Sequence, residues 1–582
     1  VDEVGVEVRP GAAIKERRQG QVEPEERPPA AKTLAITPLG GVGEIGKNLW
    51  LLEYGGKAIA VDCGLRFPNA SEHPGVDLII PDFSYLRILG DNLMGVVLTH
   101  GHEDHIGALA FLLKERPLNI FGTKFTLAMA RGRLEEMGVI DRARMVEVAA
   151  GGKLTIEPFT VRFFNVCHSV AEGVGLAIGT PLGLVVHTGD FKFDADPVDG
   201  RKIDEGVLKG FADEGVLALI SDSTNVDNAG WIPSERSVYP ALEQTFKDAP
   251  KRIIATSFAS HVHRFQQLLW AAAASGRKIA TLGRSMDGNM HLAEEMGYLQ
   301  VPDRTWVDLD TALSVAPNQC VLVSTGSQGE PRSGLARLAD GTHSDLKVNE
   351  GDVLLYSARS IPGNERLVGR MFDNFYRRGA EVITERHTRV HVSGHGARED
   401  LRQMLKLTKP RFFLPGHGER KHQVLHQRLA WEEGIPHDQV FLLDNGQRWS
   451  FDGQKANAKI FVPAGEVFVD GLILGNSDDI VLRDRKHMRE DGLVVCSVGL
   501  SRLGEILQGP HLMAKGLMLG DDADGVIEGA TQSVRQAIRE QVESGGDIDV
   551  DYAKEVIATA LKRYFKKKLQ ARPVVIPAVL EL

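Results

Sequence analysis

The sequence predicts a layered α/β protein built from more than one domain. The chain has 582 residues, 43% apolar and 25% charged, a globular composition several times the length of a usual domain. From Thr33 onward, short β-rich runs alternate with helical patterns, as layered α/β folds require. A His-rich, strand-plus-loop texture opens this region, fades near residue 216 and returns near 387, so the middle is expected to be an insertion.

In order along the chain, residues 1–32 mix Glu, Arg, Pro and Gly without periodicity and read as a flexible tail with no apolar signal-peptide segment. Strands are predicted at Thr33 to Pro38, Asn48 to Glu53, Lys57 to Asp62 and Gly95 to Thr99, the second and third joined by a Tyr54-Gly55-Gly56 hairpin turn. Helices are predicted at Ile106 to Lys114 and Phe125 to Glu136, and further strands at Lys153 to Glu157, Thr160 to Val166 and Gly183 to Thr188. From Val216 the apolar runs Leu217 to Ser221, Arg252 to Ser257 and Val353 to Ser357 each precede a helix-like segment, the spacing of a doubly wound domain. Residues 384–450 rejoin the first domain and 451–465 read as a polar linker. The remainder, 466–582, reads as a small α+β domain with strands at Asp479 to Arg483 and Gly492 to Val498 and a helix from Tyr552 to Leu569. That helix ends in Lys566-Lys567-Lys568, the most basic cluster of the chain. A solvated face and an RNA or partner contact are equally open readings of it.

Composition narrows the function classes. A net charge of -10 does not announce a nucleic-acid binder, although a basic groove can sit on an acidic shell. Cys63, Cys167, Cys320 and Cys496 form no CxxC pair and read as buried apolar residues, neither a disulfide framework nor a thiolate zinc site. Apolar runs such as Leu268 to Ala274 fall far short of the ~20 residues of a membrane span. A cytoplasmic address is the expectation. The Gly41-Val42-Gly43-Glu44-Ile45-Gly46 segment matches a dinucleotide fingerprint, but a strand pattern follows where a helix must open. A nicotinamide or flavin site is therefore rejected for a tight loop lining another site.

The strongest chemical signal is His100-Gly101-His102-Glu103-Asp104-His105, on a loop that leaves the Gly95 to Leu98 run. His100 and His102 can point the same way toward one ion, while Asp104 and His105, at the start of a helix, can serve a second. Imidazole and carboxylate without thiolate suit Zn²⁺ or Mn²⁺. One isolated histidine is more often structural; three with an aspartate in six positions are not. Candidate further ligands lie where other β runs give way to Gly-containing loops: His168, Asp190 and His417. His187, inside its strand pattern, reads as a core or supporting residue.

HxHxDH followed by single His, Asp and His at strand ends resembles the ligand series of the metallo-β-lactamase superfamily. The insertion and the His391-Val392-Ser393-Gly394-His395 segment resemble its β-CASP nuclease branch, and within it the bacterial ribonuclease J family. Local matches are Thr37-Pro38-Leu39-Gly40-Gly41, Val61-Asp62-Cys63-Gly64, Ser221-Asp222-Ser223-Thr224-Asn225 and Ser324-Thr325-Gly326-Ser327-Gln328-Gly329-Glu330. The resemblance implies a metallo-β-lactamase αββα sandwich (33–215 and 384–450), an inserted doubly wound β-CASP α/β domain (216–383) and a C-terminal dimerisation domain (466–582). It implies that His100, His102 and His168 hold one zinc, Asp104, His105 and His417 another, with Asp190 bridging and Asp62 orienting the ligand histidines.

Two such metals about 3.5 to 4 Å apart suit hydrolysis of a phosphodiester. His395, outside the ligand set, is expected to protonate the leaving 3′ oxygen, with phosphate positioning as its open alternative. Ser393-Gly394-His395-Gly396 resembles an anion nest, and Ser257, Ser260 and His261 end a strand where a helix opens. With His391 and Val392 they suggest a pocket for the 5′-monophosphate of RNA, though turn or cap chemistry alone would explain either segment. The expected protein is a 5′-to-3′ exoribonuclease with some endonuclease activity, acting on single-stranded RNA in rRNA and mRNA maturation and decay. It is expected to use two Zn²⁺, with Mn²⁺ or Mg²⁺ as alternative activators, and to form a homodimer associated with RNA-degradation machinery. Rival readings are a β-CASP DNA nuclease, a thioester or lactam hydrolase, and an inactive RNA-binding subunit; a flavodi-iron oxidoreductase is disfavoured by His102.

Overall fold

The computed structural model describes residues 32–69, 72–330, 333–344, 346–360, 364–471, 473–476, 480–544 and 549–582. The tail expected over 1–32 lies, but for its last residue, outside them.

Two sheets face each other in the first unit. One has eight strands in the order Ala456–Phe461, Gln447–Phe451, Leu34–Gly40, Leu49–Tyr54, Lys57–Val61, Leu93–Val97, Leu118–Gly122 and Ala143–Glu147. The other has six: Phe412–Pro415, Val216–Ser221, Gly183–His187, Val174–Thr180, Phe159–Asn165 and Lys153–Ile156. Leu34, Ile36, Trp50, Leu52 and Val61 of the first pack against Phe159, Val161, Leu176 and Leu414 of the second. The alternate residues of the second sheet, such as Val186, Leu219 and Phe413, turn outward onto helices Glu205–Glu214, Arg398–Thr408 and Arg420–Glu432. Period-two alternation with both faces covered is what makes this an αββα sandwich.

The inserted domain is a five-stranded parallel sheet in the order Lys278–Leu282, Cys320–Ser324, Ile253–Thr256, Val353–Tyr356 and Glu381–Ile383. Helices Val262–Ala274 and Arg284–Glu295 cover one face, while Gly334–Asp340 and Glu365–Arg377 cover the other. The adjacent strands Ile253–Thr256 and Val353–Tyr356 therefore send their following helices to opposite faces. That divergence makes their carboxyl ends a topological switch point, the crevice position at which such sheets bind ligands.

The second unit comprises 67–79 and 466–582. In it, strands Ile506–Lys515, Leu493–Leu500 and Val574–Glu581 form a sheet packed against helices Ala523–Glu543 and Val550–Leu569.

Several expectations are corrected. Val216–Ser221, read as opening the insertion, belongs to the six-stranded sheet, parallel to Gly183–His187 and Phe412–Pro415. Its unbroken apolar run marks a strand buried on both faces but cannot say in which sheet. The predicted strand Asp479 to Arg483 is instead the start of helix Ile480–Asp491, Asp479 lying outside the described residues; three consecutive apolar residues mimicked a β run. The 451–465 linker contains the edge strand Ala456–Phe461, paired to Gln447–Phe451, whose polar, exposed alternation disguised it. Strand Val174–Thr180 went unread in the sequence, and the Ile106 to Lys114 helix is split at Gly107 into Glu103–Ile106 and Leu109–Glu115. The four cysteines are buried and free, and the Gly41–Gly46 loop leads into a strand.

Candidate metal centre and anion pocket

Six loops leaving strand carboxyl ends converge. Asp62 follows Lys57–Val61, His100 to His105 follow Leu93–Val97, and His168 follows Phe159–Asn165. Asp190 follows Gly183–His187, Asp222 follows Val216–Ser221, and His417 follows Phe412–Pro415. The approach is close: a side chain at Gly64 would run into the Asp104 carbonyl.

The Nε2 atoms of His100 and His168 lie 3.2 and 3.1 Å from His102 Nδ1, three imidazole nitrogens converging on one point. His168 is oriented by Nδ1, which donates to the Gly394 carbonyl at 2.9 Å, leaving Nε2 as a lone-pair donor. The second group is Asp104, His105, Asp190 and His417. Asp104 Oδ2 lies 3.5 Å from both His105 Nε2 and His417 Nε2. Asp190 joins the groups: Oδ2 is 3.1 Å from His105 Nε2, 3.7 Å from His100 Nε2 and 3.9 Å from His168 Nε2, and Oδ1 is 2.7 Å from His417 Nδ1. Asp62 accepts from the Thr99 backbone and hydroxyl and faces His105 Nδ1 at 2.8 Å, which leaves His105 Nε2 for a metal.

Electrostatics fit cations. Burial and mutual repulsion hold His100 and His168 well below the ordinary imidazole range and bring His102 down to about 4, so their nitrogens are free to serve as neutral donors to a metal. Burial also opposes charge on His105 and His417. There the carboxylates outweigh it, Asp190 first and then Asp104 among them, and raise both. His417 Nε2 is buried with no hydrogen-bond partner among the described residues. Nitrogen and oxygen donors without sulfur, an orphaned imidazole nitrogen and two groups sharing one carboxylate fit divalent metal ions of the zinc type.

His395 stands at the edge of this centre, its Nδ1 2.7 Å from Asp222 Oδ2 and 3.9 Å from Asp190 Oδ2. Against its burial, Asp222 and then Asp190 raise it to about 9. Asp222 escaped the sequence reading as a functional residue. It closes an apolar strand run just as Asp190 does, and that shared position was the available signal. Asn225 went unread too: it donates to Ser393 Oγ at 2.8 Å and to the His395 carbonyl at 3.0 Å. His187, through Nδ1, accepts from Gly189 N at 3.0 Å and so braces the turn that presents Asp190.

Ser257, His261 and His391 lie at the carboxyl ends of the inserted sheet, whereas Ser393 and Gly394 sit against Asn225 and His168 beside the metal centre. Ser257 is buried, its hydroxyl without a hydrogen bond among the described residues. His261 caps helix Val262–Ala274 through Nδ1; its Nε2 is buried, 3.7 Å from Glu235 Oε1 and without a hydrogen bond among the described residues. Arg264, which the sequence did not single out, is fully buried. Its Nε donates to Glu235 at 2.8 Å and Nη1 to the Ser357 and Val390 carbonyls at 3.0 and 2.9 Å, while Nη2 has no hydrogen bond among the described residues. Nη1 lies 3.5 Å from His391 Nδ1. Burial and then the Arg264 charge hold both His261 and His391 well below the ordinary range. Ser260, Ser393 and Gly394 are half-buried. Val392 departs from the expectation of a substrate contact: its side chain is buried in the apolar core of the inserted domain, among residues such as Val390 and Phe265.

Fold and centre together define a metal-dependent hydrolase of the metallo-β-lactamase superfamily, whose model matches residues 42–227. Models of the ribonuclease J β-CASP domain, the Zn-dependent metallo-hydrolase RNA specificity domain and the ribonuclease J C-terminal domain match residues 250–375, 379–440 and 480–582. The chain belongs to the ribonuclease J family. It is 35% identical to ribonuclease J2 of Bacillus subtilis, over 95% of this chain and 99% of that protein. It is 38% identical to ribonuclease J of Thermus thermophilus, over 94% and 95%. The match to ribonuclease J of a Synechocystis species is 36%, over 94% and 86%. A crystal structure described as a protein of unknown function from Enterococcus faecalis shares the fold, with a TM-score of 0.50 at 15% identity, over 72% of this chain and 100% of that one. The chain is thus a hydrolytic nuclease, a metal-dependent ribonuclease. Among the described residues, no helix is long and apolar enough to cross a membrane.

Proposed function

We propose that the chain is a two-zinc 5′-to-3′ exoribonuclease with some endonuclease activity, preferring 5′-monophosphorylated single-stranded RNA and acting in cytoplasmic RNA maturation and decay. Mn²⁺ or Mg²⁺ also support the activity. The observation that carries this is the pair of ligand groups meeting at Asp190, with the His395–Asp222 pair against the same carboxylate.

In this reading His100, His102 and His168 hold one ion, Asp104, His105 and His417 the other, and Asp190 both. When bound, the ions activate a water and neutralise charge on the phosphodiester. His395, kept protonated and aimed by Asp222, donates its proton to the leaving 3′ oxygen. Ser257, Ser260, His261, His391 and the Ser393-Gly394-His395 segment hold the terminal phosphate. Ser257 Oγ, His261 Nε2 and Arg264 Nη2, buried with no hydrogen bond among the described residues, support an anion there beside the Glu235 carboxylate, because leaving such groups unpaired is costly. A pocket that fixes the 5′ end at one distance from the metals explains both direction and mononucleotide step. Homodimerisation is supported by the outer face of the second unit's sheet, where Met513, Val495 and Ile576 form a row; Met513 and Ile576 are 60% and 48% exposed. Association with RNA-degradation machinery belongs to the same proposal.

Replacing Asp104 and His105 with Ala should abolish cleavage of RNA by purified, metal-loaded protein; retained activity would remove the metal assignment. Matched DNA strands in the same assay test the DNA-nuclease alternative, which predicts equal or faster DNA cleavage.

A further inference from the structure

The basic cluster of the last helix has no part in the site described above. Helix Val550–Leu569 buries Ala553, Ile557, Leu561 and Phe565, one residue per turn, against the second unit's core. At 100° per residue, Lys562, Arg563, Lys566 and Lys567 fall on the opposite, outward face, and all four are exposed. Lys568 and Arg572 follow, and no acidic residue occurs between Glu555 and Glu581. None of the six makes an ion pair among the described residues. In the same chain Arg87, Arg162, Arg402 and Arg420 all sit against carboxylates. Acidic residues do open the neighbouring helix Ala523–Glu543, at Asp521, Asp522, Asp524 and Glu528. Tyr564, whose hydroxyl stands where a Cβ on Gly529 would be, meets that helix, and no ion pair joins its acids to the six cations among the described residues.

Helix stability alone does not explain the cluster. Cations in the final turn favour the helix dipole, which accounts for Lys566 to Lys568. The dipole effect fades within one turn, so it leaves out Lys562 and Arg563. These two also make like-charge pairs with Lys566 and Lys567 four residues on, which destabilise a helix. A protein of net charge -10 therefore concentrates mutually repelling, unneutralised cations on one exposed helical face.

We propose that this face binds the phosphate backbone of RNA, apart from the metal centre and without base specificity. It rests on RNA being the substrate, and a repeating polyanion is the ligand whose charge density matches such a row.

The test is binding of a fluorescent single-stranded RNA by the full-length chain in the Asp104→Ala background, with and without Lys562→Gln, Arg563→Gln, Lys566→Gln and Lys567→Gln together, across a salt series. The quadruple variant should bind about tenfold or more weakly at low salt, and the slope of log K against log salt should shrink by about 2 to 3, at about 0.7 per lost phosphate contact. Its melting temperature should change little, since relief of two like-charge pairs offsets the loss of cations from the last helical turn, and with Asp104 intact it should cleave a dinucleotide at the unchanged rate. Unchanged affinity and slope would overturn the proposal, as would unchanged RNA binding alongside loss of an acidic protein partner. If the wild-type chain cleaves no RNA, the parent reading fails instead.

Discussion

The metal centre and the crevice of the inserted sheet are both histidine clusters at strand carboxyl ends, yet their electrostatics are opposite. At the metal centre Asp62, Asp104, Asp190 and Asp222 surround the imidazoles, and His105, His395 and His417 are pushed toward protonation despite burial. At the crevice burial and the Arg264 guanidinium push His261 and His391 toward neutrality. One residue type thus reports two different ligands. A histidine held protonated by a surplus of carboxylates marks a place where cations are wanted; one held neutral beside an arginine with a spare buried N–H marks a place that wants an anion.

The largest break in this contrast should come from Asp190→Asn, which removes the carboxylate common to both ligand groups. Bound metal, measured on the purified protein, should drop below one ion per chain, and RNA cleavage should fall by about 10³-fold or more, several kcal/mol of transition-state stabilisation. Metal loading of the wild type should also release protons, because cations displace those held on His105 and His417.

Next in size is Asp222→Asn. It leaves the ligand set untouched but removes the strongest partner of His395, so the rate should fall by about 10²-fold with metal content unchanged. The sign of the pH effect follows from the direction of the shift. Asp222 raises His395, protonated His395 is the active form, and the variant should lose activity at lower pH than the wild type, moving the alkaline limb downward. An unshifted limb would assign His395 to positioning.

Arg264→Met acts on the other side of the comparison. Breaking a buried ion pair with Glu235 should cost about 3 to 5 kcal/mol of stability in a denaturation experiment. Arg264→Lys keeps the charge and isolates the functional part: kcat/KM should fall about tenfold on 5′-monophosphorylated RNA and stay level on 5′-hydroxyl RNA. The smallest effect is expected from Ser257→Ala, which removes one neutral donor and should cost about five- to tenfold in KM for the monophosphorylated substrate alone.

How much of this was legible depended on sequence separation. His100 to His105 are local, and strand-end positions flagged His168, Asp190 and His417 because a β run followed by a glycine loop leaves its own pattern. Asp222 shares that pattern but lacks the chemistry of a histidine, and only the fold brings it against His395, 173 positions away. Arg264 looked like an ordinary helix residue, since nothing local reveals that Glu235, Ser357 and Val390 converge on it. Val216–Ser221 was recognisable as a strand but not assignable to a sheet, because pairing with Phe412–Pro415 spans the whole insertion. Val392 misled for the opposite reason: its neighbours His391 and Ser393 meet Arg264 and Asn225 while its own side chain completes an apolar core.

The central claim is that a cation-seeking centre and an anion-seeking crevice act on the two ends of one nucleotide. Its most direct measurement is the rate of mononucleotide release from one RNA sequence carrying a 5′-monophosphate, a 5′-triphosphate or a 5′-hydroxyl, using purified protein loaded with zinc or manganese. The account predicts fastest release from the monophosphate and none after chelation. Equal rates on all three ends would contradict it.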